Sequence, residues 1–539
     1  MKVLFITLIL FSSLLFSGVS SAIVDSIKTP YHSLIKQIYS LNGNQYLWIN
    51  NPTNLAKASN AFNNGYYNYK NKPLHRARIT QLLYALDSGS LSEYNKAQLD
   101  VLVTDAYIKL LKFLRVGDVD WNLVKQKMKL LKSQHDIHAV WEMNVKSMPS
   151  AQTILNYIQT GRVNALLSQS IGLKDRYKSY IDILQYYRKI PEFRKVKYGS
   201  IIKYGRRDKR IYQIKRRLTL LGDFPRSGTI NGRYDRDLAY AIRRFRKRFN
   251  LRGGDYIDNK LLAYINLPKS YYINKILVNL DKTKLYPSRF ENLYVEVNVP
   301  EFLMRLYQNG VEVFSSKAVV GRLDRPTPIF SDKLEYIVVN PTWRVPENLV
   351  KKDLIPALKS NPNLLEIAHI KAYQGGREVT PNLEKLFTYE HSKRHLPYQF
   401  VQTPSADNAL GLIKFMFPNK YSVYLHDTPD KGLFNNKYRY NSSGCMRLNN
   451  PFGFYNALKP YLREQKDIDS LLNSGKTTRI NLSQKIPVHI VYFTLEFENG
   501  APKFMYDAYM YDKIIEESTI GNIKRYFEVP AVRLREVKK

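Results

Sequence analysis

Tyr424-Leu-His-Asp-Thr-Pro429, followed by Asn441-Ser-Ser-Gly-Cys-Met-Arg-Leu448, is the stretch on which the reading of this chain turns. Cys445 is its one cysteine. A thiol attacks a carbonyl well only as the thiolate, and a neutral histidine within hydrogen-bond reach can take its proton and later return it to a leaving amine. A strand is expected to end near Leu425, so His426 leaves its tip. The loop from there to Cys445 is long enough to fold back and bring imidazole and thiol together. Gly444 lets the backbone approach a substrate closely, and the successive amides of Ser443, Gly444 and Cys445 can converge on one developing oxyanion. Arg447 offers a fork of donors suited to a substrate carboxylate. Tyr424 alternates with His426 along the strand, so both face one side.

Each of these residues has a plainer alternative. A lone cysteine can be a buried, inert side chain. Arg447 can brace the turn, and Trp343, after Asn340-Pro341, fits a cleft wall or a packed core equally well. The rival histidines are weaker partners for the thiol. His391 and His395 lie in the polar segment Tyr389-Glu-His-Ser-Lys-Arg-His-Leu396 and are expected in solvent; His489 lies in a strand and is expected to be packed. His135 and His138 have no third ligand at metal-site spacing, so they read as a surface pair and no metal site is expected.

Outward from the box, residues 269–515 read as one strand-rich domain. Asn292-Leu-Tyr-Val-Glu-Val-Asn-Val299, Met304–Gln308, Val311–Phe314 and Leu334–Val339 are short, alternating and rich in β-branched residues, with Asn309-Gly310 as a hairpin turn between two of them. Tyr271–Leu280 leads into these strands. Residues 347–405 break the pattern with a helix near Lys351–Lys359 and polar loops, and read as a capping, lid-like insertion. Strands resume at Leu410–Phe417, Ser422–Leu425 and Ile486–Phe497. Residues 516–539 form a charged tail expected to be helical.

The box resembles the catalytic motif of the L,D-transpeptidases, in which a His precedes a Ser/Thr-X-Gly-Cys-X-Arg signature, here Ser442-Ser-Gly-Cys-Met-Arg447. Gly321-Arg-Leu-Asp-Arg-Pro-Thr-Pro-Ile-Phe-Ser331, Asn340-Pro-Thr-Trp-Arg-Val-Pro346 and Asn408-Ala-Leu-Gly-Leu-Ile-Lys-Phe-Met-Phe-Pro418 extend the likeness over roughly residues 270–510. Many members carry a second His before the Gly, where this chain has Ser443. The resemblance implies that Cys445 attacks the carbonyl of the third residue of a peptidoglycan tetrapeptide stem and releases D-Ala. A diaminopimelate amine of a neighbouring stem would then resolve the thioester into a 3→3 cross-link. It gives His426 the proton transfer, Ser443, Gly444 and Cys445 amides the oxyanion, and Tyr424, Ser442, Arg447 and Trp343 substrate positioning. It requires no cofactor and no metal. Two other outcomes share these residues or replace them: a carboxypeptidase in which water takes the place of the amine, and a non-catalytic wall-binding scaffold. A sortase-like transpeptidase also orders His, Cys and Arg, but its box lacks this spacing.

Upstream, residues 204–268 form a basic helical unit. Ile214-Lys-Arg-Arg-Leu-Thr-Leu-Leu-Gly222 ends at a helix-stopping glycine, Asp235 can cap a second helix through Phe245, and a third, from Asp258 to Ile265, closes at Pro268. These segments resemble a three-helix peptidoglycan-binding domain. Residues 23–203 read as a helical scaffold region: Leu99, Leu102, Val103, Ala106, Leu110 and Phe113 recur at helical spacing and give one buried face, and further helices surround Trp121–Leu131 and Ser150–Leu167. The expected fold class is thus multidomain α+β.

The chain of 539 residues is too long for one core, and with 44% hydrophobic residues it is not a disordered polymer. Residues 1–22 have a charged Lys2, an apolar run from Val3 to Phe16 and small residues at Ser20-Ser21-Ala22, the signature of a signal peptide. No later segment is apolar enough to span a membrane. The net charge of +37 suits an acidic polymer. Export points that charge toward peptidoglycan stems and glycan rather than nucleic acid, with other cell-wall synthesis proteins as candidate partners and the periplasm as the expected location.

Overall fold

The computed structural model describes residues 18–135 and 137–519, in two compact units. The signal segment falls largely outside these residues, as does the tail after residue 519.

The first unit comprises residues 18–118, 144–185 and 280–289. Its centre is the helix Glu93–Arg115, started by Ser92, whose side chain accepts from the Asn95 amide. The expected apolar stripe is buried, but so are Val101, Ile108, Leu111 and Leu114 on other faces, because helices wrap this one from several sides. Asp100 is fully buried within it and accepts from the amides of Leu47, Trp48 and Ile49 and from the Tyr39 hydroxyl. The stretch expected as a helix over Ser150–Leu167 is two helices, Ala151–Gln159 and Val163–Ser170, broken at Gly161 where φ is +69°.

The second unit comprises residues 119–143, 186–279 and 290–519. The basic segment forms helices Arg210–Leu220, Arg236–Arg248 and Asn259–Ile265, with strands β1 (Ile202–Lys203) and β2 (Tyr256–Ile257) paired antiparallel. Asp235 and Asp258 cap the second and third helices through the amides of Leu238 and Leu261. Arg248 is buried and forms an ion pair with Asp223 at 2.7 Å. Residues expected to lead into the strands instead form the helix Lys269–Thr283.

The strand-rich part contains β3 (Leu293–Asn298), β4 (Leu303–Gln308), β5 (Val311–Gly321) and β6 (Ser331–Val339). A cap follows with β7 (Trp343–Arg344), β8 (Ile370–Gln374), β9 (Arg377–Val379) and β10 (Gln399–Gln402). Then come β11 (Ile413–Met416), β12 (Leu425–His426), β13 (Tyr440–Ser442), β14 (Met446–Leu448) and β15 (Thr478–Val491). The main sheet runs β13-β5-β14-β12-β11-β6-β15-β3-β4, and β4 also pairs with β5, so the sheet curls back on itself. Asn309 and Gly310 both adopt positive φ and close the β4–β5 hairpin as expected. The cap is more than a set of polar loops. Its strands order β7-β10-β8-β9, and Val345, Val350, Ile355, Leu358, Leu386 and Phe400 give it a core of its own. Its sheet begins at Trp343, before the expected boundary at residue 347.

Candidate active site

Strand register brings the site together. β12 pairs in parallel with β14, Leu425 beside Met446 and His426 beside Arg447, and antiparallel with β11, His426 beside Lys414 and Leu425 beside Phe415. Side chains alternate between faces. Phe415, Leu425 and Met446 therefore point one way, where they are fully buried, with the Phe454 ring 4.6 Å from that of Phe415. Lys414, Tyr424, His426, Cys445 and Arg447 share the other face. The buried row holds this register, since a one-residue slip would turn three apolar side chains outward. Cys445 lies opposite Tyr424, whose carbonyl accepts the Met446 amide at 3.1 Å. His426 is thus the thiol's diagonal neighbour, at a backbone separation of roughly 7–8 Å that side chains can bridge.

The histidine ring is almost wholly buried, and its Nδ1 lies 2.5 Å from the Asp427 carbonyl. A neutral ring donating there keeps Nε2 as a proton acceptor. Burial, reinforced by the charge of Arg447, pushes His426 down to about 3, although the carbonyls of Asp427 and Leu410 favour its charged form. Cys445 is half-buried, and its Sγ is 3.7 Å from the Ser422 carbonyl. Burial pushes the thiol up to about 11, opposed by the backbone and hydroxyl of Tyr424 and by the charges of Arg447 and Lys414. Thiol and imidazole are therefore both neutral at rest across the middle pH range.

Ser442, expected to touch substrate, does not face the groove. It is buried, its hydroxyl donates to the Cys445 carbonyl and it accepts from the Gly444 amide. That second bond uses the Gly444 amide inside the turn and removes it from the expected oxyanion trio. Among the described residues, the amides of Ser443 and Cys445 have no protein acceptor. Gly444, at φ +118°, supplies a backbone conformation closed to most side chains.

Several supporting residues escaped the sequence reading. Thr327 is fully buried and donates to the Gly444 carbonyl at 2.8 Å while accepting the Gly321 amide. Arg325 holds Asp353 of the cap with two nitrogens and reaches the exposed Ser443 hydroxyl at 3.2 Å. Trp343, from the cap's first strand, lies close enough to the Tyr424 hydroxyl to favour its charged form, against the larger effect of burial. The cap is thus linked to the cysteine turn through Arg325, which holds Asp353 on one side and Ser443 on the other. Arg325 and Thr327 lie in the Gly321–Ser331 segment, so their presence was visible but their targets were not. His391 and His395 are exposed, while His489 is buried between Ser331 and Glu291, as expected of a packed strand residue. The described residues contain no group of three or more His, Cys, Asp or Glu that could hold a metal ion.

Residues 292–480 match the profile of the L,D-transpeptidase catalytic domain, and residues 33–180 match that of a scaffold domain. A curated Haemophilus influenzae relative named as an L,D-transpeptidase is 32% identical over 267 residues, 48% of this chain and 53% of its own length. The chain thus spans about half the length of that relative. Among solved structures, an L,D-transpeptidase of Xylanimonas cellulosilytica is 11% identical, covering 55% of this chain and 99% of its own, with a TM-score of 0.17. One from Stackebrandtia nassauensis is 14% identical, covering 55% and 96%, with a TM-score of 0.19.

Proposed function

We propose that this chain, whose residues 292–480 match the profile of the L,D-transpeptidase catalytic domain, is an exported cysteine acyltransferase that cross-links peptidoglycan stem peptides. One observation carries this reading: Tyr424, His426, Cys445 and Arg447 share a single face of two paired strands. The thiol starts neutral. As Sγ attacks the carbonyl of the stem's third residue, its proton passes to Nε2 of His426, which Asp427 holds in the accepting tautomer. The tetrahedral oxyanion is received by the amides of Ser443 and Cys445. Collapse breaks the peptide bond, the imidazolium returns its proton to the departing D-Ala amine, and a thioester remains. An acceptor amine then attacks, loses a proton to His426, and the expelled thiolate recovers it.

The basic segment at residues 204–268 fits a wall-binding role, since Tyr204, Tyr212 and Tyr240 are exposed among arginines and offer stacking and charge to an acidic glycopeptide. No described helix is long and apolar enough to cross a membrane, and the reading places the mature protein at the periplasmic wall. The test is incubation of wild type and Cys445→Ala with tetrapeptide muropeptides, scored by mass spectrometry. Dimers and D-Ala from wild type alone support transpeptidation, and tripeptides without dimers indicate the carboxypeptidase. Products that persist in the variant would remove Cys445 as nucleophile.

A further inference from the structure

Three adjacent strands set Lys414, His426 and Arg447 in one row across the sheet, Lys414 registered with His426 and His426 with Arg447. Registered residues share a face and lie about 5 Å apart from strand to strand. The imidazole therefore sits between two cations. Lys414 Nζ stands 5.6 Å from the Tyr424 ring centroid, and its charge reaches both Cys445 and His426. Its hydrogen bond, to the Thr342 carbonyl, is stretched to 3.5 Å. Among the described residues neither Lys414 nor Arg447 has a carboxylate within ion-pair distance, and Arg447 Nε is buried with no hydrogen-bond partner.

Other buried cations of this unit have at least one partner each, although Arg217 Nε and Arg246 Nε are orphaned as Arg447 Nε is. Lys275 has Asp512 at 2.8 Å, Arg248 has Asp223 at 2.7 Å, Arg305 has Glu301 at 2.6 Å, and Arg439 reaches the carbonyls of Ala318 and Phe302. An orphaned buried donor costs free energy that a bound anion would recover. The plain alternative is that the Lys414 stem merely rests on Tyr424 with its head in water. That alternative leaves Arg447 unexplained, since unlike Arg217 and Arg246 it has no hydrogen bond to another described residue.

We propose that Lys414 and Arg447 form a two-point carboxylate cradle across His426, which takes a donor peptide bearing two carboxylates. This rests on the transpeptidase reading. The leaving amine must face His426 to receive its proton, so the departing residue lies on the far side of the imidazole from Cys445. Lys414 is the cation there and holds the terminal carboxylate of that residue. Arg447, on the nucleophile's own strand, takes the side-chain carboxylate of the residue that stays on sulfur.

The test uses the full-length protein and three synthetic donors: the diacid, the same peptide amidated at its terminal carboxylate, and the same peptide amidated at the third residue's side chain. Acylation of Cys445 is followed by intact mass in wild type, Lys414→Met and Lys414→Arg, and iodoacetamide alkylation reports the thiol separately. Terminal amidation should lower wild-type kcat/KM about 10- to 100-fold, the range of a charge-assisted hydrogen bond. Lys414→Met should show that loss already on the diacid, no further loss on terminal amidation, and full sensitivity to side-chain amidation; Lys414→Arg should recover part of the discrimination. The cradle is overturned if Lys414→Met discriminates acid from terminal amide as wild type does. It is equally overturned if the variant slows all three donors and alkylation alike, which would confine Lys414 to acting on the thiol. Failure of every donor to acylate a wild-type thiol that alkylates normally would instead remove the underlying transpeptidase reading.

Discussion

The resting protonation state of the proposed catalytic pair, Cys445 and His426, is open to direct measurement. With Cys445 near 11 and His426 near 3, the protein holds a neutral thiol beside a neutral imidazole rather than a thiolate–imidazolium pair. At pH 7.5 the thiolate fraction is then about 3 in 10,000, against about one in ten for an ordinary cysteine. A more basic thiolate is also the better nucleophile, which returns about tenfold, so alkylation should run about thirtyfold slower than for free cysteine. The assay is the rate of iodoacetamide modification of Cys445 against pH. The rate should climb about tenfold per pH unit through pH 9.5 without levelling, since only the thiolate reacts. Tyr424→Phe should lower it further, because the lost hydroxyl hydrogen bond favours the thiolate. His426→Asn should leave the profile nearly unchanged, because the ring it replaces is uncharged. A plateau with a midpoint near or below pH 7, abolished in His426→Asn, would refute this reasoning and establish an ion pair at rest.

Other consequences concern stability and geometry. The depressed His426 makes the folded state bind fewer protons than the unfolded chain between pH 6.5 and about 3. Stability should therefore be intact above pH 6.5 and fall as pH drops through that window, by at most about 5 kcal/mol from this group. Urea midpoints against pH for wild type and His426→Asn should converge toward acid; parallel curves would contradict it. Asp100→Ala should destabilise the protein by about 3–5 kcal/mol in urea denaturation, because three amides and a tyrosine hydroxyl lose a buried acceptor. A loss under 1 kcal/mol would show that water reaches those amides. Gly411→Ala would set a Cβ 2.4 Å from the Asp427 side chain at a backbone φ of +61°. The shift forced on Asp427, whose carbonyl orients His426, should cut acylation at least tenfold while alkylation of Cys445 persists; unchanged acylation would show the ring is held by other contacts.

Local chemistry was legible in this chain. Asp235 and Asp258 cap their helices and Asn309-Gly310 turns its hairpin because each acts on a neighbour two or three residues away. Cys445 and His426 stood out because a sole cysteine in a glycine turn after a strand-end histidine leaves few alternatives. Misreadings came where distant segments decide. Ser442 looked like a substrate contact, yet its hydroxyl is consumed by the turn it belongs to. Glu93–Arg115 looked one-sided, yet it is wrapped on several sides. Residues 347–405 looked polar, yet Val350, Ile355, Leu358 and Phe400 meet across them to form a core.

The order of residues alone determined the chemistry on offer: one thiol, one imidazole at a strand tip, one arginine two places beyond the cysteine. Only the tertiary structure decided what surrounds them. Lys414 is 12 residues from His426 along the chain but adjacent across the sheet, and Thr327 and Arg325 reach the cysteine turn from more than 115 residues away. Pairing of distant strands is set by which register buries Phe415, Leu425 and Met446 together. That is a property of the whole sheet's packing, and no single segment encodes it.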